Sequence, residues 1–457
     1  MRERLVVIGA DAAGMSAASV ARRMRGPEQL EIVAFDRGRF TSYSACGIPY
    51  FVGRDVADVA SLVARTPAQF AAMGIDARLG HEVVALDTEA QVVTVRDLDS
   101  GAARREGYDH LLVATGAAPF RPAVPGIDAP GVFGVQTLDD GLALRAALDA
   151  APPRRAVVVG AGYVGLELAE ALCAWGATVT VVERAPTPMS TLDPDMGALV
   201  GDAMRRFGME VRTEETVEGI DLDRFGRARA VVTDRGTLPA DVVVLGMGVR
   251  PNVELAEAAG VELGPSGAVA VDPRMATDVP GVWAAGDCAE KRHLVSGRPV
   301  AIALGTHANK QGRVAGANIA GGEASFPGVL GTAVTKVCSL EVARTGLGEA
   351  EAASAGIDAV AVTTESTTRA GYYPGARPIR VKLVAEAGGG RLLGAQIVGE
   401  EGAAKRIDVA AMAVWHHMTV EGIVDVDLSY APPFSPLWDP ILIAARRTAE
   451  ALRATTA

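Results

Sequence analysis

The chain has 457 residues, enough for roughly three domains with substantial cores. Hydrophobic residues make up 49% and charged residues 22% of it, with no extended apolar span, which excludes a disordered chain and a transmembrane bundle. The formal net charge of −11 lacks the basic excess that nucleic acids and anionic membranes attract, so neither is an expected partner.

The first predicted element is the apolar run from Leu5 to Ile8, which follows two arginines and leads directly into Gly9. Basic residues before an apolar run can also begin an export signal, but this run is too short for the core of a signal peptide. It has the length of a buried parallel strand that meets a glycine turn, and we interpret it as one.

An internal repeat organises the chain up to about residue 250. LVVIGADAAGMSAASVA from Leu5 recurs as AVVVGAGYVGLELAEAL from Ala156, and YDHLLVATGAAP from Tyr108 recurs as ADVVVLGMGVRP from Ala240. Each copy opens with an apolar run, a glycine turn and a helical pattern. The repeat therefore predicts two Rossmann-like, doubly wound α/β layers.

The predicted domains follow from this repeat and from the segments around it. A proline-bearing stretch after Ala118 suits a crossing between domains, and GVWAAGDCAE with the helical run behind it indicates a return to the first one. We predict a discontinuous first domain of residues 1–118 and 250–330, and a second of residues 119–249. The mixed strand and helix patterns of residues 331–457 predict a third, α+β domain.

The second glycine turn is a complete dinucleotide-binding pattern. It contains Gly160, Gly162 and Gly165, which would let the backbone approach a pyrophosphate at the start of a helix. The next strand ends on Glu183, where a carboxylate can bond an adenosine ribose. Glu183 should repel a 2′-phosphate and so favours NADH, although the adjacent Arg184 could accommodate NADPH.

The first glycine turn departs from the same pattern. It has Gly9 and Gly14 but Asp11 where the middle glycine is expected, and its next strand ends on Asp36. The alternative interpretation of both turns is that the glycines only pack helix against strand. Two such turns with matching acids instead indicate one bound flavin and one exchanging nicotinamide.

Further candidate FAD contacts lie at the ends of two later strands. Gly286 and Asp287 end the strand of GVWAAGDCAE and can aim a carboxylate at a ribityl hydroxyl, although the isolated pattern fits any strand followed by a turn. Thr115 and Gly116, which close the first repeat unit, are candidates as well.

The four cysteines are far apart and form no CxxC pair, which fits a reducing cytoplasm. Cys46 is the candidate reactive centre, because TSYSACGIPYF follows Asp36 by a few residues and surrounds the cysteine with small or hydroxyl residues. A helix starting near Cys46 would favour the thiolate. The alternative is an inert buried cysteine, which is what we expect of the others, Cys173, Cys288 and Cys338.

Taken together, these motifs resemble the pyridine nucleotide-disulfide oxidoreductase family, in particular its single-cysteine branch of coenzyme A disulfide reductases and NADH oxidases. The matching stretches include SYSACGIPY, GAGYVGLELAE, AAGDCAE, ANKQGRVAGANIAG, VARTGLGEAEA, GYYPGA and YAPPFSPLWDP, and the resemblance covers essentially the whole chain. It implies FAD and NAD(P)H on the two Rossmann-like domains, a C-terminal dimerisation domain, and a homodimer whose sites combine both subunits.

The resemblance also implies roles for individual side chains. Tyr163 would lie near the flavin where nicotinamide enters, and Glu167 would contact the nicotinamide end. Tyr430 and one of Tyr372 and Tyr373 resemble the tyrosines that coenzyme A disulfide reductases direct at the cysteine from the partner subunit. The alternatives for these residues are helix packing, an exposed helical charge and interface packing.

Several positions depart from the family pattern or carry no assignment. Trp438 stands where some coenzyme A disulfide reductases have a lysine, and Ala12 stands where NADH peroxidases and water-forming oxidases have a histidine. His416 and His417 are expected to be buried interface residues rather than a metal pair, and no metal site is predicted. The sequence assigns no role to two other histidines, His293 and His307.

Three functions remain open at this stage. The first is a coenzyme A disulfide reductase-like enzyme in which Cys46, lacking a local resolving cysteine, reduces a small disulfide through a mixed disulfide. The second is an NADH oxidase or a polysulfide or persulfide reductase that uses the same cysteine. The third is a flavin-bearing binding protein that senses redox state.

Overall fold

The structure is a computed structural model, and it describes residues 2–456. Its strands are β1 Glu3–Ile8, β2 Leu30–Asp36, β3 Asp76–Leu79, β4 His81–Asp87, β5 Val92–Asp97, β6 Ala103–Gly107, β7 His110–Val113, β8 Ala117–Pro119, β9 Val132–Gly134, β10 Arg155–Val159, β11 Thr178–Val182, β12 Glu210–Arg212, β13 Val217–Leu222, β14 Ala228–Thr233, β15 Gly236–Pro239, β16 Val242–Leu245, β17 Val249–Pro251, β18 Val282–Ala284, β19 Lys291–Arg292, β20 Pro299–Val300, β21 Ala333–Val337, β22 Leu340–Gly346, β23 Ala359–Thr367, β24 Pro378–Glu386 and β25 Leu392–Gly399.

The helices connect these strands and cover their faces. They are α1 Ala12–Met24, α2 Ile48–Val52, α3 Pro67–Ala72, α4 Leu138–Ala150, α5 Tyr163–Ala174, α6 Pro194–Phe207, α7 Glu254–Ala258, α8 Gly305–Ile319, α9 Glu349–Ser354, α10 Ile407–Trp415, α11 Val420–Val424 and α12 Pro440–Thr456.

Two parallel sheets confirm the doubly wound layers that the repeat predicts. The first has the strand order β18-β7-β1-β2-β3 and the second has the order β12-β11-β10-β16-β9. The strand before each glycine turn, β1 or β10, therefore has equivalent neighbours in both sheets. Both strands are rich in β-branched residues and are buried along most of their length, as expected for parallel strands covered on two faces.

The strand β18 and helix α8 return the chain to the first sheet, as the sequence indicates. Helix α8 packs closely on α1 through glycines, because a Cβ added at Gly312 would lie 2.2 Å from the carbonyl oxygen of Ala13. Gly316 stands in the same relation to the carbonyl oxygen of Ala17. Only residues without a Cβ allow this approach of two helices.

The C-terminal part forms one antiparallel sheet in the order β21-β22-β25-β24-β23. Its apolar face packs against α10, α11 and α12, in a core that includes Ile379, Ile397, Ile407 and Ile441. The α+β character expected of this part is confirmed. The described part of the chain has no helix both long and apolar enough to cross a membrane.

Candidate active site

The loop that carries Cys46 is tied to the first glycine turn by three hydrogen bonds. Thr41 Oγ1 and the Ser42 N–H both donate to the carbonyl of Ala10, at 2.5 and 3.2 Å. The Tyr43 N–H donates to Asp11 Oδ1 at 3.1 Å. Asp11 thus anchors the loop, which is a reason for its presence where the pattern expects glycine.

Cys46 lies in a short 3₁₀ turn, Ala45–Gly47, directly before α2, and the residue is exposed. Although the residue as a whole is exposed, partial burial of its sulfur raises the pKa of the thiol, and the carboxylates of Glu167 and Asp287 raise it further. This net direction is opposite to the lowering that we expected from the start of a helix. Because Glu167 belongs to the second glycine-turn helix and Asp287 follows β18, Cys46 lies where the two dinucleotide-binding units meet.

The first glycine turn forms a buried, tightly fitted cradle. A Cβ at Gly9 would lie 2.1 Å from the carbonyl oxygen of Ala114, and one at Gly14 would lie 1.9 Å from the carbonyl oxygen of Gly9. Asp36 accepts the N–H groups of Ala10 and Gly38, each at 2.7 Å. These contacts bring the β2 carboxylate back to the turn.

Asp287 supplies a polar group that the protein does not satisfy. Its Oδ1 atom is buried and has no hydrogen-bond partner among the described residues. Burial raises the pKa of Asp287, and the neighbouring Lys291 lowers it. A buried acceptor without a donor, close to the first glycine turn through the contact of Gly286 with Ala13, fits a ligand hydroxyl at this place.

Thr115 and Gly116 lie at the crossing between the two glycine-turn units. Thr115 Oγ1 donates to the carbonyl of Asn252 at 2.7 Å, and Asn252 Nδ2 donates to the carbonyl of Thr115 at 2.8 Å. Gly116 has a φ of +68°, which suits glycine. The pair fixes the path of the chain beside the short ribbon of β8 and β17.

The second glycine turn repeats the acid arrangement of the first. Glu183 accepts the N–H groups of Ala161 and Ala185 at 2.7 and 2.8 Å, as Asp36 does in the first unit. Gly160 and Gly165 pack against backbone atoms, since added Cβ atoms would lie 2.6 and 2.3 Å from carbonyl oxygens. Gly162 differs, because its Cβ would meet nothing closer than 3.5 Å.

Tyr163 begins α5 and is partly buried rather than free in solvent. Burial raises the pKa of its phenol, and a hydrogen bond with the Thr191 side chain lowers it. The side chain is therefore held at the start of α5, where a dinucleotide would enter along the glycine turn.

Glu167 lies one turn further along α5 and contacts the C-terminal domain. Burial raises its pKa, while a 2.8 Å hydrogen bond from Thr335 Oγ1 lowers it and Glu170 raises it. The alternative of an exposed helical charge is therefore wrong. Thr335 is a site residue that the sequence did not reveal, because it is 168 positions away from its partner.

A cavity of about 430 Å³ opens beside this carboxylate. Its lining combines α2, α5 and β21, and it includes Tyr50, Glu167, Glu170, Cys173 and Lys336. Lys336 Nζ forms an ion pair with Glu170 across the cavity wall. All three parts of the molecule therefore meet at this cavity.

The predicted tyrosines are grouped on the C-terminal domain. Tyr372 and Tyr430 lie close to each other, and the Tyr430 phenol raises the pKa of Tyr372. Tyr372 is 78% exposed, and Phe434 and Leu437 next to this pair are 77% and 69% exposed. Tyr373 is less exposed, at 36%. On a single chain the tyrosines thus form part of a solvent-exposed apolar surface.

Comparison with known proteins gives the family. Residues 3–312 match the family model of the pyridine nucleotide-disulphide oxidoreductases, and residues 332–440 match that of their dimerisation domain. The chain belongs to this family. It is therefore an oxidoreductase of a family that works with FAD and NAD(P)H.

Similar members of the family cover nearly the whole chain. An NAD(P)H coenzyme A polysulfide/persulfide reductase from Pyrococcus horikoshii is 39% identical over 449 residues, which is 98% of each chain. A coenzyme A disulfide reductase from Staphylococcus aureus is 30% identical and spans 94% of this chain and 96% of its own. The solved structure of an NAD-dependent persulfide reductase from A. fulgidus is 38% identical, with a TM-score of 0.95, and spans 99% of this chain and 84% of that one.

The other cysteines and histidines of this oxidoreductase differ in burial. Cys288 is fully buried, as expected. On a single chain, His416 and His417 are exposed directly after α10. Their burial at an interface between subunits stays a prediction. His293 and His307 are buried, and burial lowers the pKa of His307 to about 4, with Lys291 acting in the same direction.

One acidic cluster has the ligand types of a metal site, but a lysine fills it. Asp193, Asp195 and Glu349 bring their carboxylates within 4.8 Å of one another. Lys382 Nζ lies 3.2 Å from Asp193 and 2.6 Å from Asp195, and it also pairs with Glu349. The buried ammonium supplies the positive charge there and ties α6 to the C-terminal sheet.

Proposed function

We propose that the chain is an FAD-dependent NAD(P)H:disulfide oxidoreductase of the coenzyme A disulfide reductase type, with Cys46 as its redox-active residue. The observation that carries the proposal is the position of Cys46 between the two dinucleotide-binding units, close enough for Glu167 and Asp287 to affect its pKa. No second cysteine lies in its loop. A single sulfur at this junction suits a mixed disulfide with a small thiol.

The side chains of the first unit fit FAD. The first glycine turn leads directly into α1, whose N-terminal N–H groups could bind a pyrophosphate, and the buried Asp287 Oδ1 lacks the donor that a ribityl hydroxyl would provide. Gly9, Gly14, Asp36, Thr115, Gly116, Gly286 and Asp287 are the residues that we assign to FAD. When bound, the flavin supplies the hydride and electron chemistry that the side chains lack.

The second unit would hold the nicotinamide coenzyme. Gly160, Gly162 and Gly165 would face the pyrophosphate, Glu183 the adenosine ribose, and Tyr163 and Glu167 the nicotinamide end. The Glu183 carboxylate favours NADH over NADPH, although the exposed Arg184 stands beside it. A higher kcat/KM for NADH than for NADPH is the expected result.

In the thiol half of the cycle, Cys46 exchanges with the substrate disulfide. The Cys46 thiolate attacks one sulfur of RSSR, which forms a mixed disulfide and releases RS⁻. One pair of electrons then cleaves the mixed disulfide, releases the second RS⁻ and returns the Cys46 thiolate, so that RSSR takes up two electrons in all.

A homodimer would complete the site. We propose that the adjacent Tyr372 and Tyr430, with Tyr373 beside them in the sequence, face the mixed disulfide in the other subunit, where a phenol can protonate a leaving thiolate. Their exposure on one chain, together with the exposed Phe434 and Leu437, supports this arrangement.

Reduction of polysulfides or persulfides is the second candidate, because relatives with these names are more similar to this chain than the coenzyme A disulfide reductase is. The two candidates share Cys46 and differ in the acceptor. An acceptor screen with both nicotinamides, using coenzyme A disulfide, polysulfide and oxygen, separates them. Rapid NADH consumption with oxygen alone would instead favour an oxidase.

The Cys46→Ser variant tests the proposal. We expect kcat with disulfide to fall by about 10³-fold or more, because the nucleophile is lost, while the flavin spectrum stays unchanged. Anaerobic reduction of the wild type should take up more electrons than the flavin alone accepts. Equal electron uptake by the wild type and the variant would place Cys46 outside the redox cycle.

A further inference from the structure

Cys173 and Cys338 belong to different domains but pack together. Cys173 lies near the end of α5, and Cys338 lies in the turn between β21 and β22; both belong to one apolar cluster. Glu170, one helical turn before Cys173, accepts the N–H of Cys338 at 2.8 Å. A Cys173 thiolate also raises the pKa of Cys338. The contact between α5 and the turn from β21 to β22 therefore brings the two cysteines close to each other, although they are remote in sequence.

The backbone at Cys338 is unusual for a cysteine. Cys338 is the first of two residues that join β21 to β22, and its φ is +55°. Glycine or asparagine usually takes such a position in a two-residue hairpin, because a Cβ is unfavourable there. A side chain held in this conformation at a domain contact is a reason to look for a function of that side chain.

The two cysteines differ in access. Cys173 lines the 430 Å³ cavity beside Glu170, whereas Cys338 is 6% exposed. A small reagent in the cavity would therefore meet Cys173 first, and Cys338 would be sheltered behind it. This is the arrangement of an attacking thiol and a resolving thiol.

We propose that Cys173 and Cys338 form an interdomain disulfide when the protein meets a low-molecular-weight disulfide, at a site separate from Cys46. The Cys173 thiolate attacks one sulfur of RSSR, forming a mixed disulfide and releasing RS⁻. The Cys338 thiolate then attacks the Cys173 sulfur and releases the second RS⁻. The two protons of the cysteines end on the released thiols, so RSSR is reduced to two RSH while the protein gains one disulfide.

The surroundings of the two thiols make this reaction slow, so a low-molecular-weight disulfide must be present for a long time or at high concentration. Burial raises the pKa of Cys173 to about 11 and that of Cys338 to about 12, and Glu170 raises both. Few thiolates are then present near neutral pH. The bond would join α5, which carries Glu167, to the hairpin that carries Thr335, and so hold the Glu167–Thr335 contact in place.

Peptide mapping of the folded full-length protein tests the proposal. The protein is incubated with oxidised glutathione, free thiols are alkylated, and the sample is digested with trypsin without reduction. We expect peptides 156–184 and 337–344 to appear joined, lighter than their sum by two hydrogen atoms. Dithiothreitol should reverse the link. The linked protein should unfold at a temperature several degrees higher than the reduced protein.

Matched variants show whether the link is specific. Cys173→Ser and Cys338→Ser should each abolish it, and Cys46→Ser should leave it intact. Cys338→Gly serves where serine impairs folding, because glycine accepts the positive φ. A folded wild type that gives only glutathionylated Cys173, or no modification, would overturn the proposal. So would a link that forms only after denaturation.

Discussion

The two glycine turns of this oxidoreductase share one backbone plan but differ at the middle position. Both have a strand acid that accepts two backbone N–H groups, Asp36 in the first unit and Glu183 in the second. In the second unit Gly162 leaves the approach to the backbone open. In the first unit Asp11 occupies that position and anchors the Cys46 loop through the Tyr43 N–H. The same backbone plan thus leaves the middle position open in the second unit, whereas in the first unit that position is bonded to the Cys46 loop.

Gly162→Ala should have the largest effect of these variants, because it blocks the open approach to the backbone in the second unit. Its φ of −83° suits alanine, and the added Cβ would contact protein atoms only at 3.5 Å, so folding should be unaffected. The methyl group would occupy the space through which a pyrophosphate approaches. We expect KM for NADH to rise about 100-fold, roughly 2.7 kcal/mol, in steady-state kinetics.

Gly165→Ala provides the contrast for that variant. Its Cβ would lie 2.3 Å from the carbonyl oxygen of Gly160, so this change should lower the unfolding temperature. Equal thermal destabilisation by Gly162→Ala would show that the middle glycine serves packing rather than coenzyme approach.

Asp11→Asn tests the role of Asp11 in the first unit, through the pH dependence of the free energy of unfolding. Burial raises the pKa of Asp11 to about 7, well above that of the unfolded chain, and the Tyr43 N–H and Asp36 act in opposite directions on it. The folded state then binds a proton that the unfolded state has released. The contribution of Asp11 to the free energy of unfolding therefore becomes more unfavourable as pH rises from about 4 to 7. Above pH 7 this contribution stays constant.

Chemical denaturation of the flavin-free protein measures this cost. Between pH 4 and 8, the wild type should lose stability relative to Asp11→Asn by an amount on the order of a few kcal/mol. At pH 4, Asp11→Ala should be about 1–3 kcal/mol less stable than the wild type, since the Tyr43 N–H loses its acceptor. This deficit should shrink or reverse by pH 8, because the variant lacks the carboxyl group whose raised pKa costs the wild type stability. A constant difference between wild type and Asp11→Asn would contradict the raised pKa.

Thr335→Val should have the smallest effect. It tests whether the hydrogen bond from Thr335 in the C-terminal domain to Glu167 on α5 influences coenzyme binding. Loss of the Thr335 hydroxyl removes a hydrogen bond that lowers the pKa of Glu167, so this pKa should rise. If ionised Glu167 takes part in coenzyme binding, the acid limb of the pH profile of kcat/KM for NADH should move to higher pH.

Thr335→Ser is the control, because it keeps a hydroxyl donor to Glu167. Its pH profile should match that of the wild type. An equal shift in the serine and valine variants would trace the effect to packing of the threonine methyl group rather than to the hydrogen bond.

The sequence by itself determined the two parallel sheets and their glycine turns. Apolar runs, glycines and strand-end acids such as Glu183 are local features, and they recur at matching places in both units. It also singled out Cys46 and the tyrosines through motifs. Local patterns suffice there because a strand, a turn and the start of a helix lie within a few residues of each other.

Only the tertiary structure decided what surrounds those residues. It showed that Asp11 anchors the Cys46 loop, that carboxylates and burial raise the pKa of Cys46, and that Thr335 bonds Glu167. It also brought Cys338 against the helix of Cys173. Such contacts join segments far apart in the chain, and burial depends on the packing of whole domains, so no short stretch of sequence encodes them.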